Sequence, residues 1–258
     1  MVEVTKIKIG SFNTWDHKEK TGELETRSSV FADHIIDECF DIIGTQEMTY
    51  QYQNKLINKL INYNFYGKHR LFNIFFKHIS YNENNSIITN KKVLFHKTYR
   101  LPFIPRNFKD LKKAINKSHW SLVPRIATVV VIEIDNKSIC MINTHLDYKL
   151  DSVKKIQISF LKKIISKYCT KYPLILTGDF NMQKEDNNFQ ILESYLKKLG
   201  ISRVKIDERT WGNETNGETL DHIFIPSSWK ILKKGVISDE SISNISDHRM
   251  IFVECNIK

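Results

Sequence analysis

Glycine and proline are scarce in this chain of 258 residues, nine and five in all, and nowhere do they gather with serine into a linker. One domain spanning residues 1–258 is therefore expected, and no internal repeat interrupts it. Cysteine is scarcer still: Cys39, Cys140, Cys169 and Cys255 lie far apart, with no Cys-x-x-Cys pair and no Cys/His metal spacing. That excludes a disulfide scaffold and a zinc cluster, and because each falls in an apolar helix or strand pattern, buried free thiols are expected. No stretch approaches the roughly 18 apolar residues that a membrane span needs. The N-terminus runs directly into Lys6-Ile7-Lys8-Ile9-Gly10-Ser11-Phe12-Asn13, with no apolar signal region. These absences lead us to expect a soluble monomer of a reducing compartment, the cytoplasm.

What is present is hydrophobic content of 41%, enough for a sizeable core, and an excess of positive charge. Lys and Arg number 39 against 29 Asp and Glu, a net charge of +10. Such a balance favours a polyanionic partner, nucleic acid before all, although a chain so rich in Lys, Asn and Ile scatters part of this excess over its surface. From His96 to Trp120, Arg100, Arg106, Lys109, Lys112, Lys113 and Lys117 are interleaved with Tyr99, Phe103, Phe108 and Trp120. That mixture suits a nucleic-acid strand through phosphate neutralisation and base stacking. Phe108, Leu111 and Ile115 equally have helical spacing and suit simple packing, so both readings stand.

Strands are expected at Val4 to Asn13, Phe40 to Glu47, Ser86 to Phe95, Arg125 to Asp135, Ser138 to Asp147, Tyr172 to Asn181, Thr219 to Ile225 and Met250 to Ile257. Helices are expected at Thr26 to Glu38, Thr49 to Ile61, Asp151 to Cys169 and Asn187 to Leu199, where apolar residues recur three or four apart. In the third, Val153, Ile156, Phe160, Leu161, Ile164, Ile165 and Tyr168 form the inward stripe, which leaves the Lys154-Lys155 and Lys162-Lys163 pairs largely on a solvated face.

The ends of these strands carry the chemistry. Leu176-Thr177-Gly178-Asp179-Phe180-Asn181 delivers a carboxylate and a carboxamide two positions apart, on one face if the strand stays regular. Alone, such a segment is an Asp/Asn turn. Four further segments share its character: Phe12-Asn13, Gln46-Glu47, Asn143-Thr144-His145-Leu146-Asp147 and Ser246-Asp247-His248. Five in one chain are hard to read as caps. Glu47 and Asp247, hard oxygen ligands without Cys or His clusters, suit Mg²⁺ or Mn²⁺. His145 and His248 can hydrogen-bond or protonate a phosphate, and Asp221 in Leu220-Asp221-His222 can orient His248.

Together with Asp41-Ile42-Ile43-Gly44-Thr45-Gln46-Glu47 and Pro124-Arg125-Ile126-Ala127-Thr128, these motifs resemble the endonuclease/exonuclease/phosphatase superfamily, in order and over nearly the whole chain. The look is closest to stand-alone bacterial-type members. The resemblance implies a four-layer α/β/β/α sandwich of two packed mixed sheets flanked by helices. It also implies a divalent-metal-dependent phosphoesterase with Mg²⁺, or Mn²⁺, as cofactor. By position, Asn13, Glu47 and Asp247 look like the metal residues. Asp179 and Asn181 resemble the pair that handles the attacking water, His145 the phosphate-contacting histidine, and His248 with Asp221 the histidine-aspartate pair. Arg125 is a candidate phosphate clamp by bidentate bonding, with a structural ion pair as the plain alternative.

Two departures narrow the subfamily. The position two residues beyond Asn13, an Asp in abasic-site endonucleases, is Trp15; the usual Ser-Asp-His-x-Pro ending is Ser246-Asp247-His248-Arg249-Met250. The favoured reading is a nuclease acting on DNA or RNA. The alternatives are a phosphatase or phosphodiesterase on a small phosphorylated molecule or lipid headgroup, and an inactive nucleic-acid-binding scaffold.

Overall fold

The computed structural model describes residues 5–15, 24–70, 83–103, 124–212, 216–237 and 239–257. In chain order the elements are β1 (Thr5–Asn13), α1 (Leu24–Asp37), β2 (Ile42–Gln46), α2 (Tyr50–Lys59), β3 (Asn64–Tyr66), β4 (Ile87–Thr89), β5 (Lys92–Leu101), β6 (Arg125–Ile134) and β7 (Lys137–His145). There follow α3 (Asp151–Cys169), β8 (Leu174–Asp179), α4 (Asn187–Lys198), β9 (Ile201–Arg203), β10 (Asp221–Pro226), β11 (Lys230–Val236), α5 (Glu240–Ser243) and β12 (Ile251–Ile257).

The strands form two six-stranded sheets, ordered β11-β12-β1-β2-β4-β3 and β5-β6-β7-β8-β10-β9. Ile7, Ile9, Ile42 and Val253 of the first meet Val130, Ile132, Met141, Ile175 and Ile223 of the second to make the central core. On the outer face of the first sheet, Phe12 and Ile43 pack under Phe31 and Ile35 of α1 and Tyr52 and Leu56 of α2. On that of the second, Val129, Ile142 and Leu176 pack under Leu161 and Ile165 of α3 and Phe189 and Leu192 of α4. Strands covered on both faces need continuous apolar side chains rather than alternation, which is why β6 reads Ile126-Ala127-Thr128-Val129-Val130-Val131-Ile132. The expected α/β/β/α sandwich is therefore the observed fold.

Each sheet contains one parallel pair joined by a long helical crossover, β1 to β2 through α1 and β7 to β8 through α3. Parallel pairing puts both C-terminal ends at one lip. Asn13 stands opposite Gln46, and His145 opposite Asp179. Antiparallel β10 adds Asp221 opposite Asp179, at the same level.

Several expectations need correction. The segment Ser86 to Phe95 is two strands, because the chain leaves the first sheet after Thr89 and enters the second at Lys92, where β5 is an exposed edge. Short β3 and β9, edge strand β11 and α5 lacked a pattern long enough to announce them. Cys140 and Cys255 are buried as expected, but Cys39 is exposed in the turn after α1 and Cys169 is half-buried at the end of α3. On α3, Ile156 and Phe160 are only half-buried, while Lys154 and Gln157 are buried. Of the basic and aromatic stretch from His96 to Trp120, residues 104–120 lie outside the described residues. Among the described residues no helix is long and apolar enough to cross a membrane.

One buried histidine makes the fold acid-sensitive. His222 is 2% exposed, packs against Phe189 at 4.4 Å between ring centroids, and lies 3.1 Å by Nε2 from the Met182 carbonyl. Burial pulls its pKa from 6.5 to about 4. The unfolded chain binds this proton first, so stability is intact above pH 6.5 and falls as pH drops towards 4, by about 3 kcal/mol at the limit. Urea midpoints at pH 7 and pH 4.5 are expected to lie closer together in His222→Phe than in the parent chain; an unchanged gap would assign the acid sensitivity elsewhere.

Candidate active site

At the shared lip of the two sheets lies a cavity of about 500 Å³ whose lining includes Glu47, Arg125, His145, Asp179, Asn181, Asp247 and His248. Asn13 and Asp221 join them by hydrogen bonds, so the structure brings together all nine residues singled out in the sequence. Asn13 Nδ2 donates to Glu47 Oε1 at 3.2 Å and to Asp179 Oδ2 at 3.1 Å, tying the two sheets together across the site. Beneath it Gln46 Nε2 donates to Asn143 Oδ1 at 2.7 Å, and Asn143 Nδ2 donates to the carbonyls of Thr45 and Ser86. This polar staple fixes the two lips at one height.

The loop bearing Asp247 and His248 is held from two sides. Ser246 Oγ donates to the Asn13 carbonyl at 2.7 Å, and the His248 amide donates back to Ser246 Oγ. Buried Arg27 of α1 donates through Nε to the Ile245 carbonyl and through Nη2 to the carbonyls of Thr14 and Trp15.

Asn181 reaches the site by a route that strand alternation did not foresee. β8 stops at Asp179, and Asn181 sits in a left-handed conformation at φ 50°, its amide donating to Asp179 Oδ1 at 2.9 Å. The plain turn reading and the functional one thus describe the same residues. Buried Lys154 donates to the Asn181 carbonyl at 2.9 Å, so this lysine braces the turn instead of facing solvent.

Electrostatics divide the cavity. His248 Nδ1 donates to Asp221 Oδ2 at 2.8 Å; burial opposes its charge, but Asp221, Asp179 and Asp247 push its pKa up to about 10. Burial and the neighbouring Asp221 and Glu47 raise Asp179 to about 7 against the pull of His248. Asp247 is raised as well, by burial and by Glu47.

On the opposite wall His145 is held well below its ordinary pKa by burial and by Arg125 and Arg70. Neutral imidazole carries one proton. Asn181 Nδ2 donates to the Leu146 carbonyl at 3.1 Å and lies 3.0 Å from His145 Nε2. A guanidinium only donates, so Arg125 Nη1 donates to His145 Nδ1 at 3.0 Å, which leaves the imidazole proton on Nε2, 3.4 Å from Asp179 Oδ2. Arg125 is 8% exposed, its Nε is buried without a partner, and among the described residues it has no ion pair. A buried guanidinium without a carboxylate is costly unless an anion completes it, which argues against the structural ion pair.

Among the described residues, two groups of side chains could hold a cation. Asp179, Asp221 and His248 are close enough, but a histidine protonated up to about pH 10 and bonded to its carboxylate has no lone pair to give. The other comprises Glu47, Glu83 and His145, and Asp247 beside it contributes a buried Oδ1 with no hydrogen-bond partner. Carboxylate oxygens without thiolate fit a hard divalent ion. Glu83 and its ion-pair partner Arg70, 2.7 Å apart, escaped the sequence reading, as did Trp211, whose Nε1 donates to Asp247 Oδ2 at 3.1 Å. None lies at the end of an apolar run, the signal that exposed the others.

A family model for the endonuclease/exonuclease/phosphatase family matches residues 10–248, a span that encloses all nine site residues. The chain belongs to this family. Members are phosphoester hydrolases, which agrees with the resemblance carried by the motifs. No curated protein sequence matches the chain. Among solved structures, an endonuclease/exonuclease/phosphatase from Bacteroides vulgatus is 18% identical, with a TM-score of 0.77 over 98% of this chain and 100% of that one. A mannosyl-6-phosphatase of Bacteroides thetaiotaomicron is 19% identical, with a TM-score of 0.74 over 96% and 99%. D. rerio TDP2, complexed with single strand DNA product, is 14% identical, with a TM-score of 0.70 over 98% and 100%. Likeness at these identities concerns the fold.

Proposed function

We propose that this member of the family hydrolyses phosphodiester bonds of nucleic acid, DNA or RNA, by attack of water assisted by a divalent cation. The observation that carries the reading is the convergence, in one cavity, of an acidic wall with the buried Arg125, which has no ion pair among the described residues, and the His145 imidazole to which it donates. Glu47 and Asp247, with Asn13 beside them, would hold the cation, Mg²⁺ or else Mn²⁺, and when bound it would supply Lewis-acid polarisation of a phosphoryl oxygen.

The chain's own groups divide the remaining work. Arg125, through the guanidinium N–H groups not bonded to His145, and His145, through Nε2–H, take non-bridging phosphate oxygens. Asp179, at about 7, is suited to receive the proton of the attacking water near neutral pH. Asn181 orients that water and helps stabilise charge on the five-coordinate phosphorus. His248, kept protonated by Asp221, donates a hydrogen bond to phosphate. The new bond runs from water oxygen to phosphorus; the ester P–O bond breaks, and the departing oxygen takes a proton from solvent.

The fold does not choose the substrate, since its neighbours include a mannosyl-6-phosphatase and a protein bound to single strand DNA product. The net charge of +10 favours a polyanion. The test is one panel of single- and double-stranded DNA, RNA, poly(A), phosphoinositide, sphingomyelin and a generic phosphodiester, each with Mg²⁺ and with EDTA. Polynucleotide hydrolysis is expected with Mg²⁺, to vanish in EDTA, and to weaken steeply with ionic strength as phosphate contacts are lost. Turnover of a small phosphoester alone, with a flat salt profile, would overturn the nucleic-acid reading.

A further inference from the structure

The charged cavity has an aromatic rim that the hydrolytic chemistry does not use. Trp15, Tyr148 and Trp211 come from three separate segments, and all three line the cavity. Trp15 follows Asn13 by two residues and Tyr148 follows His145 by three. Trp211 bonds to Asp247 and forms a bridge with His248. Each ring is therefore tethered to a residue that surrounds the phosphate seat. Tyr148 is 44% exposed and both tryptophans are half-buried, in a cavity whose other lining residues are almost all charged or polar.

Trp15 is held there against its backbone preference. Its φ is 43°, a left-handed conformation that a bulky side chain adopts rarely and at a cost. The surroundings enforce it: its amide donates to Asn13 Oδ1 at 2.9 Å, and its carbonyl accepts from Arg27 Nη2 at 2.9 Å. A polar or small residue would suit that turn better, so the indole itself is what the position presents.

We propose that Trp15, Tyr148 and Trp211 are stacking platforms for unpaired bases flanking the scissile phosphate, so that the substrate class is single-stranded rather than duplex nucleic acid. This rests on the phosphodiesterase reading above. In a duplex the ring faces of the bases are covered by their neighbours and only their edges are offered, which leaves nothing for a flat side chain beside the phosphate. An unpaired strand presents those faces, and stacking on aromatic side chains is worth about tenfold in affinity per base and tolerates any sequence. A cavity of about 500 Å³ has room for the nucleotides adjoining the phosphate.

The experiment compares kcat/KM in Mg²⁺ on a single-stranded oligonucleotide, the same sequence as a duplex, and a strand of equal length whose central nucleotides carry tetrahydrofuran in place of bases. We expect the single strand to be favoured about tenfold or more over both. Trp15→Ala and Tyr148→Ala should each collapse its advantage over the baseless strand, while Trp15→Phe and Tyr148→Phe preserve it and serve as controls for folding. Equal cleavage of base-bearing and baseless strands, or preference for duplex, would overturn the proposal. Tryptophan fluorescence in EDTA separates the two readings. Quenching by the base-bearing strand and not the baseless one supports stacking even if no oligonucleotide is cleaved, the outcome that would sink the phosphodiesterase reading. Absence of quenching alongside rapid cleavage would sink the stacking alone.

Discussion

Asp179→Asn is expected to lower kcat on a polynucleotide on the order of a thousandfold while the chain stays folded. The carboxylate lies at the meeting point of both sheets, where Asn13 Nδ2 donates to Oδ2 and the Asn181 amide donates to Oδ1. An amide keeps the shape and can still accept from the Asn181 N–H, but its nitrogen then faces the Asn13 nitrogen. The cost of that lost bond is about 1–3 kcal/mol, well short of unfolding for a core this size. What disappears is the carboxylate best placed, among the described residues, to receive the proton of water at neutral pH, since His248 is already protonated and His145 Nδ1 accepts from Arg125. Single-turnover rates beside a urea melt separate the two effects. Retention of roughly a tenth of the parental rate or more would remove Asp179 from the role of base.

That same position shows how the sequence betrayed the site. Asp179 and His145 were legible because each ends an apolar run that is buried on both faces, so their strand ends could be located without a structure. Arg125 was legible for the mirror-image reason, at the start of β6. Asn181 was named for the wrong geometric reason. Strand alternation does not extend past Asp179, and the side chain arrives through a left-handed turn that Lys154 supports from a helix the periodicity had turned outward. Helical spacing sorts apolar from polar positions; it does not see one lysine reaching back to a carbonyl.

Arg70, Glu83 and Trp211 stayed hidden because they sit on irregular segments brought in by tertiary contacts, where no local period exists to read. The layer architecture followed from the motif resemblance, yet the switch from β4 to β5 did not. Within Ser86 to Phe95 the polar Asn90-Lys91-Lys92 interrupts two short apolar segments, but neither carries a mark of which sheet it joins. The pairing is decided by partners far along the chain, Ile43 for Ile88 and Val131 for Phe95.

The second large effect concerns the residue before Asp179. Gly178→Ala is expected to cost about 3–5 kcal/mol, enough to leave a large share of the chain unfolded at moderate temperature. Gly178 has φ 154°, and a Cβ built on it would stand 2.0 Å from the Thr144 carbonyl oxygen of the neighbouring strand. That atom is backbone, paired in register with Gly178 itself, so it can give way only if β7 and β8 part. Those two strands carry His145 and Asp179, so whatever fraction still folds should also lose activity. Gly200→Ala isolates the contribution of backbone strain: its φ is 72°, but nothing lies within 4 Å of the added carbon, so about 1 kcal/mol is expected. Urea midpoints of the two variants should differ accordingly. If Gly178→Ala were no worse than Gly200→Ala, the close approach of β7 and β8 would not be what sets the height of the catalytic lip.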